Sequence, residues 1–262
     1  MNIKTLPFTG TALILSATLL IAGCGGGDDE DLELTSASTQ AAAKKSVDPA
    51  SAGSVAGKIA FKGQAPKMNV LDMGADAVCQ GLHKEQVRDQ SVVVNGNQTL
   101  KNVVVSVKKG LEEYAYPAPV ESPMLNQSGC VYEPHILIMT PGVLKIKNSD
   151  NTLHNVNAQA KSNKGFNRAQ PMPSTIEEKF SKPEMVPFKC DVHPWMRAYV
   201  AVVAHPVAAA TGDDGSFTLT PLPPGQYVIE AWHEKFGSQE MTVTVETGKT
   251  AEANFTFGAP GA

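Results

Sequence analysis

The chain has 262 residues, of which 42% are hydrophobic and 18% are charged, and its net charge is −4 at pH 7. This composition is typical of a globular protein, and the mild acidity without a basic cluster argues against a nucleic-acid partner. From about residue 54 to residue 257 the chain is long enough to form one large core or two small ones.

The N-terminus carries a short apolar segment, Thr11 to Ala22, after the positive charge of Lys4. This segment is too short to span a bilayer and is typical of a secretory signal. It closes with Ile21-Ala22-Gly23-Cys24, which resembles the lipobox of bacterial lipoproteins. The resemblance implies a signal peptide over 1–23 and lipid attachment at Cys24. An ordinary secretory signal with an incidental cysteine is the alternative.

The lipobox resemblance also implies a location. Several acyl chains on one cysteine give stable membrane anchoring. Gly25, rather than Asp, follows Cys24, and by the rule of that family this argues against retention at the inner membrane. We therefore expect a lipid anchor in the outer membrane, facing the periplasm or the cell surface. Residues 24–53 are small and polar and predict a disordered tether.

Strand signals dominate the rest of the chain. Apolar and polar residues alternate, and turn pairs such as Asn95-Gly96, Pro141-Gly142 and Asp214-Gly215 separate the segments at the spacing of β-sandwiches. The best helical signal is a short one at 74–84. We expect an all-β protein, with strands at 55–61, 91–95, 102–108, 135–139, 143–148, 198–204, 217–219, 226–232, 241–246 and 251–257.

One segment offers soft metal ligands at close spacing, because Cys190, His193 and Met196 follow the pattern Cys-x-x-His-x-x-Met. His154 supplies a second imidazole from an earlier segment. Two His, one Cys and a weak axial Met are the ligand signature of a blue-copper electron-transfer centre. Each residue alone has a plainer interpretation, such as core packing, but the combination predicts one copper ion. Zinc fits the same Cys and two His, but copper(II) outcompetes it at such ligands.

The stretch from Cys190 to Met196 resembles the short ligand loop of amicyanin, within the plastocyanin and pseudoazurin group of cupredoxins. The segment Asn148-x-Asp150-x-x-x-His154-Asn155-Val156 is similar to the one that carries that group's first histidine. The resemblance implies a Greek-key sandwich over 108–206, with the four residues above as copper ligands and Asn155 beside them. Asp191 stands where the family usually has Thr or Ser, and its carboxylate is expected to lower the potential or weaken copper binding.

The same resemblance implies a docking face. The family exposes the edge of its second histidine inside an apolar patch. We therefore expect the edge of His193 at the end of the sandwich, with Pro194 and Trp195 as docking residues for a c-type cytochrome or a periplasmic dehydrogenase. The alternative is that Trp195 caps the core.

The remaining cysteines can be assigned by compartment. If Cys24 is lipidated and Cys190 holds metal, Cys79 and Cys130 are left, and in an oxidising compartment such a pair is most simply a disulfide. The alternative is that Cys79 and the nearby His83 belong to a second metal site. An accessory metal at His83 and His135 also stays open.

The C-terminal strands carry a second resemblance. The sequences at 211–219 and 222–227 are similar to the carboxypeptidase-regulatory-like, transthyretin-like β-sandwich, in which DGSF opens one hairpin and PPGxY starts the next strand. Residues 207–258 hold only part of such a domain. Because 57–63 resembles its first strand, we expect 54–107 to pair with the C-terminal strands around the copper domain.

These features favour a protein that transfers single electrons and is not an enzyme. A copper-binding lipoprotein that delivers, stores or senses copper without redox turnover is the first alternative. A lipoprotein for adhesion or carbohydrate binding, with a structural metal, is the second.

Overall fold

The computed structural model describes residues 43–258, so the predicted signal peptide, Cys24 and most of the tether lie outside the described residues. Within this range the chain is almost entirely β, which confirms the predicted fold class. The one helix between residues 43 and 258 is α1 (Ala77–Gly81), and it is too short to cross a membrane. The strands are β1 (Lys45–Ser46), β2 (Gly53–Lys62), β3 (Val104–Lys109), β4 (Tyr114–Ala115), β5 (Met124–Ser128), β6 (Val131–Glu133), β7 (Ile136–Met139), β8 (Gly142–Asn148), β9 (His154–Ala158), β10 (Phe166–Gln170), β11 (Ser174–Phe180), β12 (Glu184–Lys189), β13 (Arg197–Val202), β14 (Ala208–Ala210), β15 (Ser216–Leu222), β16 (Gly225–His233), β17 (Gly237–Val245), β18 (Thr250–Glu252) and β19 (Phe255–Gly258).

The first sandwich, residues 124–202, combines a five-stranded sheet in the order β10-β9-β12-β13-β7 with a four-stranded sheet in the order β11-β8-β5-β6. Side-chain alternation explains how both sheets share one core, since in β8 Leu144 and Ile146 are buried and Lys147 is exposed. Cys190 and Met196 belong to the same core. The predicted ligand loop is therefore built directly onto this sandwich.

The second sandwich combines both ends of the described chain. Its sheets have the orders β14-β3-β16-β17 and β15-β2-β18, and β19 also pairs with β2. Strand β2 is antiparallel to β15 and parallel to β18 and β19, while β3 lies between β14 and β16. Residues from 55–111 and from 207–257 fill one core. The structure thus pairs the early strands with the C-terminal strands, and the domain boundaries remain a prediction.

A loop between the two early strands covers one end of the first sandwich. We call residues 71–87 the cover segment; its base is closed by the bond from Leu71 N–H to Val87 O, 2.9 Å. The segment contains α1, and its Cys79 forms a disulfide with Cys130, which follows β5. Met73 and Cys79 are buried in the first core. A covalent bond and apolar packing therefore hold the cover segment in place.

Two strand predictions were wrong in detail. Residues 91–95 form only a bridge from Val94 to Leu100, because the chain turns back at once and Asn95 N–H donates to Thr99 O at 2.8 Å. The predicted strand 251–257 is two strands, since Ala253 N–H and the Asn254 side chain bond to the edge of β2 between them. The edge strands β10 and β11 escaped prediction because most of their side chains are exposed and give little apolar pattern.

Candidate metal centre

The ligand loop, residues 190–196, joins β12 to β13. These strands are antiparallel and Lys189 pairs with Arg197, so the loop closes a hairpin. Inside it, Cys190 N–H donates to Met196 O at 3.2 Å and Met196 N–H donates to His193 O at 2.9 Å. The hairpin register and these backbone bonds fix the loop before any metal is considered.

His154 reaches the loop because it begins β9, the neighbour of β12. The pair Lys189 and Asn157 sets the register between these strands. As a result the backbone N–H of Asn155 donates to Cys190 Sγ at 3.4 Å, and the N–H of His193 donates to the same sulfur at 3.4 Å. Two backbone donors directed at one sulfur are suited to a thiolate.

The donor atoms of three predicted ligands converge. His154 Nδ1 and His193 Nδ1 are 2.9 Å apart, and His193 Nδ1 is 3.8 Å from Cys190 Sγ. All three donor atoms lie within 4.8 Å of one another, and the residues are 0%, 2% and 2% exposed. The fourth predicted ligand, Met196, is fully buried in the loop, and its role as axial ligand remains a prediction.

Each histidine has a carboxylate behind it. His154 Nε2 lies 2.9 Å from Asp150 Oδ2, and His193 Nε2 lies 3.2 Å from Asp76 Oδ2. A neutral imidazole that donates from Nε2 has an acceptor lone pair on Nδ1. Two such lone pairs at 2.9 Å repel one another unless a proton or a metal ion lies near both. The donor set therefore fits a soft or borderline metal ion.

The neighbouring groups also shift the pKa values of His154 and Cys190. Burial lowers the pKa of His154, but the Asp150 carboxylate and Cys190 outweigh it and raise that pKa to about 9. Burial raises the pKa of the Cys190 thiol, but bonds from His154 and from the N–H groups of Asn155 and His193 lower it overall. The centre therefore favours a thiolate and an added positive charge, which are the charges of a thiolate–metal site.

The two neighbouring residues predicted from the sequence lie in one polar network. Asn155 Nδ2 donates to Asp191 Oδ2 at 3.2 Å, and the backbone N–H of Asp191 donates to Asn155 Oδ1. Asn157, Lys189 and Asn167 also bind the Asp191 carboxylate, and these bonds hold its pKa well below the usual range. The carboxylate thus ties β9 and β10 to the ligand loop.

The exposure predicted for the second histidine was wrong. His193 is 2% exposed, because Asp76 and Cys79 of the cover segment lie on its Nε2 edge, with Cys79 Sγ at 3.5 Å. Pro194 is exposed and Trp195 is half-buried, with its ring centroid 5.0 Å from that of His193. Both line a cavity of about 250 Å³. Met196 of the ligand loop lines the same cavity.

The other histidines near cysteines are used separately. His83 Nε2 contacts Gly129 O at 2.6 Å, and His135 Nε2 contacts Glu234 Oε1 at 2.5 Å. Neither belongs to a cluster of three close metal-binding side chains in residues 43–258. Asp150 stands in the sequence segment that predicted His154, so its spacing was a usable signal. Asp76 gave none, because it lies 117 residues before His193.

Comparison with known proteins finds one domain family whose model matches part of the chain, and several solved structures to which part of the chain is similar. The model of the carboxypeptidase regulatory-like domain matches residues 193–258, which confirms the C-terminal resemblance and begins earlier than the predicted residue 207. No curated protein matches. Solved structures that match include a purple cupredoxin from Nitrosopumilus maritimus, with 20% identity over 31% of this chain and 100% of that chain and a TM-score of 0.28.

Two further solved structures also match part of this chain. Amicyanin from Paracoccus versutus matches with 18% identity over 38% of this chain and 97% of that chain, at a TM-score of 0.29. A copper-containing nitrite reductase from Thermus scotoductus SA-01 matches with 17% identity over 37% of this chain and 25% of that chain, at a TM-score of 0.29. The structural neighbours of this chain are thus cupredoxins and a copper enzyme.

Proposed function

We propose that this protein binds one copper ion at His154, Cys190 and His193, with Met196 as a weak axial ligand, and transfers single electrons. The observation that carries the proposal is the convergence of two Nδ1 atoms and one sulfur within 4.8 Å. Two imidazoles, a thiolate and a thioether are the ligands of blue-copper electron-transfer sites. Bound copper would supply a one-electron couple.

The chain's own residues favour electron transfer over copper delivery. The loop is closed by its hairpin register and by two internal backbone bonds, so its donors cannot move far with oxidation state. The three converging ligands are at most 2% exposed, which leaves no open position for an incoming ligand from another protein. Delivery by ligand exchange needs such a position, whereas electron transfer does not.

The cellular setting is part of the proposal. Lipid attachment at Cys24 would tether the protein to the outer membrane, facing the periplasm or the cell surface. A c-type cytochrome or a periplasmic dehydrogenase would dock beside Pro194 and Trp195, because His193 itself is covered and the Trp195 ring lies next to it. The second sandwich would serve as a structural or interaction module, and the protein would not be an enzyme.

Optical and EPR spectra of the copper-loaded protein test this function. We expect one copper per chain and an intense thiolate-to-copper band, and Cys190→Ala should abolish the band. His205→Gln alters a histidine outside the centre and is the matched control, which should keep it. Stopped-flow reduction and reoxidation should cycle the site without release of copper. A wild-type band that survives Cys190→Ala would contradict the proposal, and copper loss on reduction would favour delivery.

A further inference from the structure

Both histidines of the centre are backed by carboxylates that come from different parts of the chain. Asp150 lies four residues before His154, and Asp76 belongs to the cover segment. We propose that Asp76 and Asp150 are positioning residues that hold both imidazoles as Nε2–H tautomers, strengthen them as ligands and lower the reduction potential. This inference rests on the proposed copper site and adds to it the residues that tune it.

Two backbone N–H groups hold the Asp150 carboxylate in place, with one oxygen directed at His154. Its Oδ1 accepts from Gly129 N–H at 2.7 Å, and its Oδ2 accepts from Cys130 N–H at 2.8 Å and faces His154 Nε2 at 2.9 Å. The residue is 5% exposed. A buried carboxylate with its other contacts satisfied by backbone donors acts on the imidazole as a fixed negative charge.

Asp76 divides its two oxygens between two tasks. Oδ1 caps α1 by accepting from the N–H groups of Val78 and Cys79, at 2.8 and 3.0 Å. Oδ2 is left for His193 Nε2 at 3.2 Å and for the Thr152 hydroxyl at 3.3 Å. The cap sets the direction of the carboxylate, and the carboxylate sets the direction of the ring.

The disulfide joins the two carboxylates into one scaffold. Cys79 donates its N–H to Asp76, Cys130 donates its N–H to Asp150, and the two cysteines are bonded to each other. The same disulfide places Cys79 Sγ 3.5 Å from His193 Nε2 and excludes water from that edge. The Nε2 atoms of both histidines therefore face carboxylates whose backbone donors are joined by one disulfide.

The two carboxylates should strengthen copper binding and lower the reduction potential. A carboxylate bonded to Nε2–H raises the basicity of the imidazole, and removing such partners typically weakens metal binding by about 10–100-fold. Negative charge stabilises the divalent state more than the monovalent state because the attraction scales with the charge of the ion. A tenfold larger loss for copper(II) than for copper(I) raises the potential by about 59 mV.

Asp76→Asn is the sharpest test. Asparagine is also a good N-cap, so its oxygen can stay on α1, while its amide group faces His193 with donors in place of the carboxylate oxygen. We expect the potential of the copper protein to rise by about 59 mV for each tenfold change in the affinity ratio. Asp150→Asn should shift it in the same direction. Asp72→Asn, in the same segment but bonded to Gly74 N–H, is the control and should leave it unchanged.

A second measurement needs no copper. In the zinc-loaded protein, histidine-labelled NMR should show slowly exchanging Nε2–H protons on both His154 and His193, and Asp76→Asn should speed exchange at His193 alone. Folded variants with an unchanged potential and unchanged exchange would overturn the inference. Failure of the wild-type protein to form a thiolate–copper band would instead overturn the proposed function, while the zinc measurement would still decide the tautomers.

Discussion

The indole Nε1–H of Trp195 donates to the backbone carbonyl of Cys130 over 3.0 Å. This bond ties the ligand loop to the disulfide that anchors the cover segment. Trp195 is thus fixed on one side by the loop and on the other by the first sandwich. The bond to Cys130 therefore restricts the motion of Trp195, which we propose as a docking residue.

The indole bond predicts a stability effect. Trp195→Phe keeps an aromatic ring beside His193 and removes the donor, so Cys130 O loses its partner and the free energy of unfolding should fall by about 1 kcal/mol. Urea unfolding of the metal-free protein measures this. Trp232→Phe makes the same substitution at a ring that packs edge-on against Tyr199, and its unfolding free energy is the comparison. Equal stability of wild type and Trp195→Phe would show that the bond contributes nothing.

Removal of the disulfide should have a larger effect. The bridge closes a chain segment with a sequence separation of 51 residues, and loop entropy of that size corresponds to about 4 kcal/mol of stability. Cys79→Ala combined with Cys130→Ala should lower the unfolding free energy by that order and should expose the edge of His193 to solvent. Denaturant unfolding and hydrogen exchange at His193 check both effects. Loss of stability with His193 still protected would show that the cover segment stays down without the bridge.

A buried histidine of the second sandwich predicts a pH effect. Burial, with His135 and Lys235 nearby, lowers the pKa of His233 to about 4 from 6.5. The unfolded chain therefore takes up a proton at this residue before the folded chain does. Stability should fall as pH drops from about 6.5 to about 4, by up to about 3 kcal/mol.

His233→Asn tests this origin. Lys235 N–H donates to His233 Nδ1 at 3.1 Å, and the asparagine oxygen can accept the same bond without titrating. Unfolding free energies of the metal-free proteins at pH 7 and pH 5 should differ less in the variant than in the wild type. Identical pH slopes would assign the effect to other groups.

The close packing of β2 against the C-terminal strands predicts that one added methyl group at Gly57 lowers stability. A Cβ on Gly57 in β2 would lie 1.7 Å from the carbonyl oxygen of Ala253, so Gly57→Ala must push the backbone of the C-terminal strands away. We expect a loss of several kcal/mol, of the order seen for core overpacking or more. Gly96→Ala meets no atom within 4 Å and serves as the control. Thermal unfolding that is unchanged in Gly57→Ala would contradict the observed strand pairing.

The predictable part of the centre was the part whose contacts are local. Cys190, His193 and Met196 lie within one hairpin loop, so their spacing carried the information, and the segment around His154 could be matched by its resemblance. Asp76 could not be found this way, because its contact with His193 depends on a loop, a helix cap and a disulfide acting together. The exposure of His193 was mispredicted for the same reason.

The insertion of the first sandwich between β3 and β14 constrains the order in which the protein is made. Strands β5 to β13 are complete once residue 202 has been synthesised, so the ligand set can assemble while the chain is still growing. Strand β2 must wait for β15, β18 and β19, and until then only its residues 59–61 are paired, with residues 98–100, so most of both edges is open. A chain that stops early would therefore retain the proposed metal ligands but carry an exposed strand prone to aggregation.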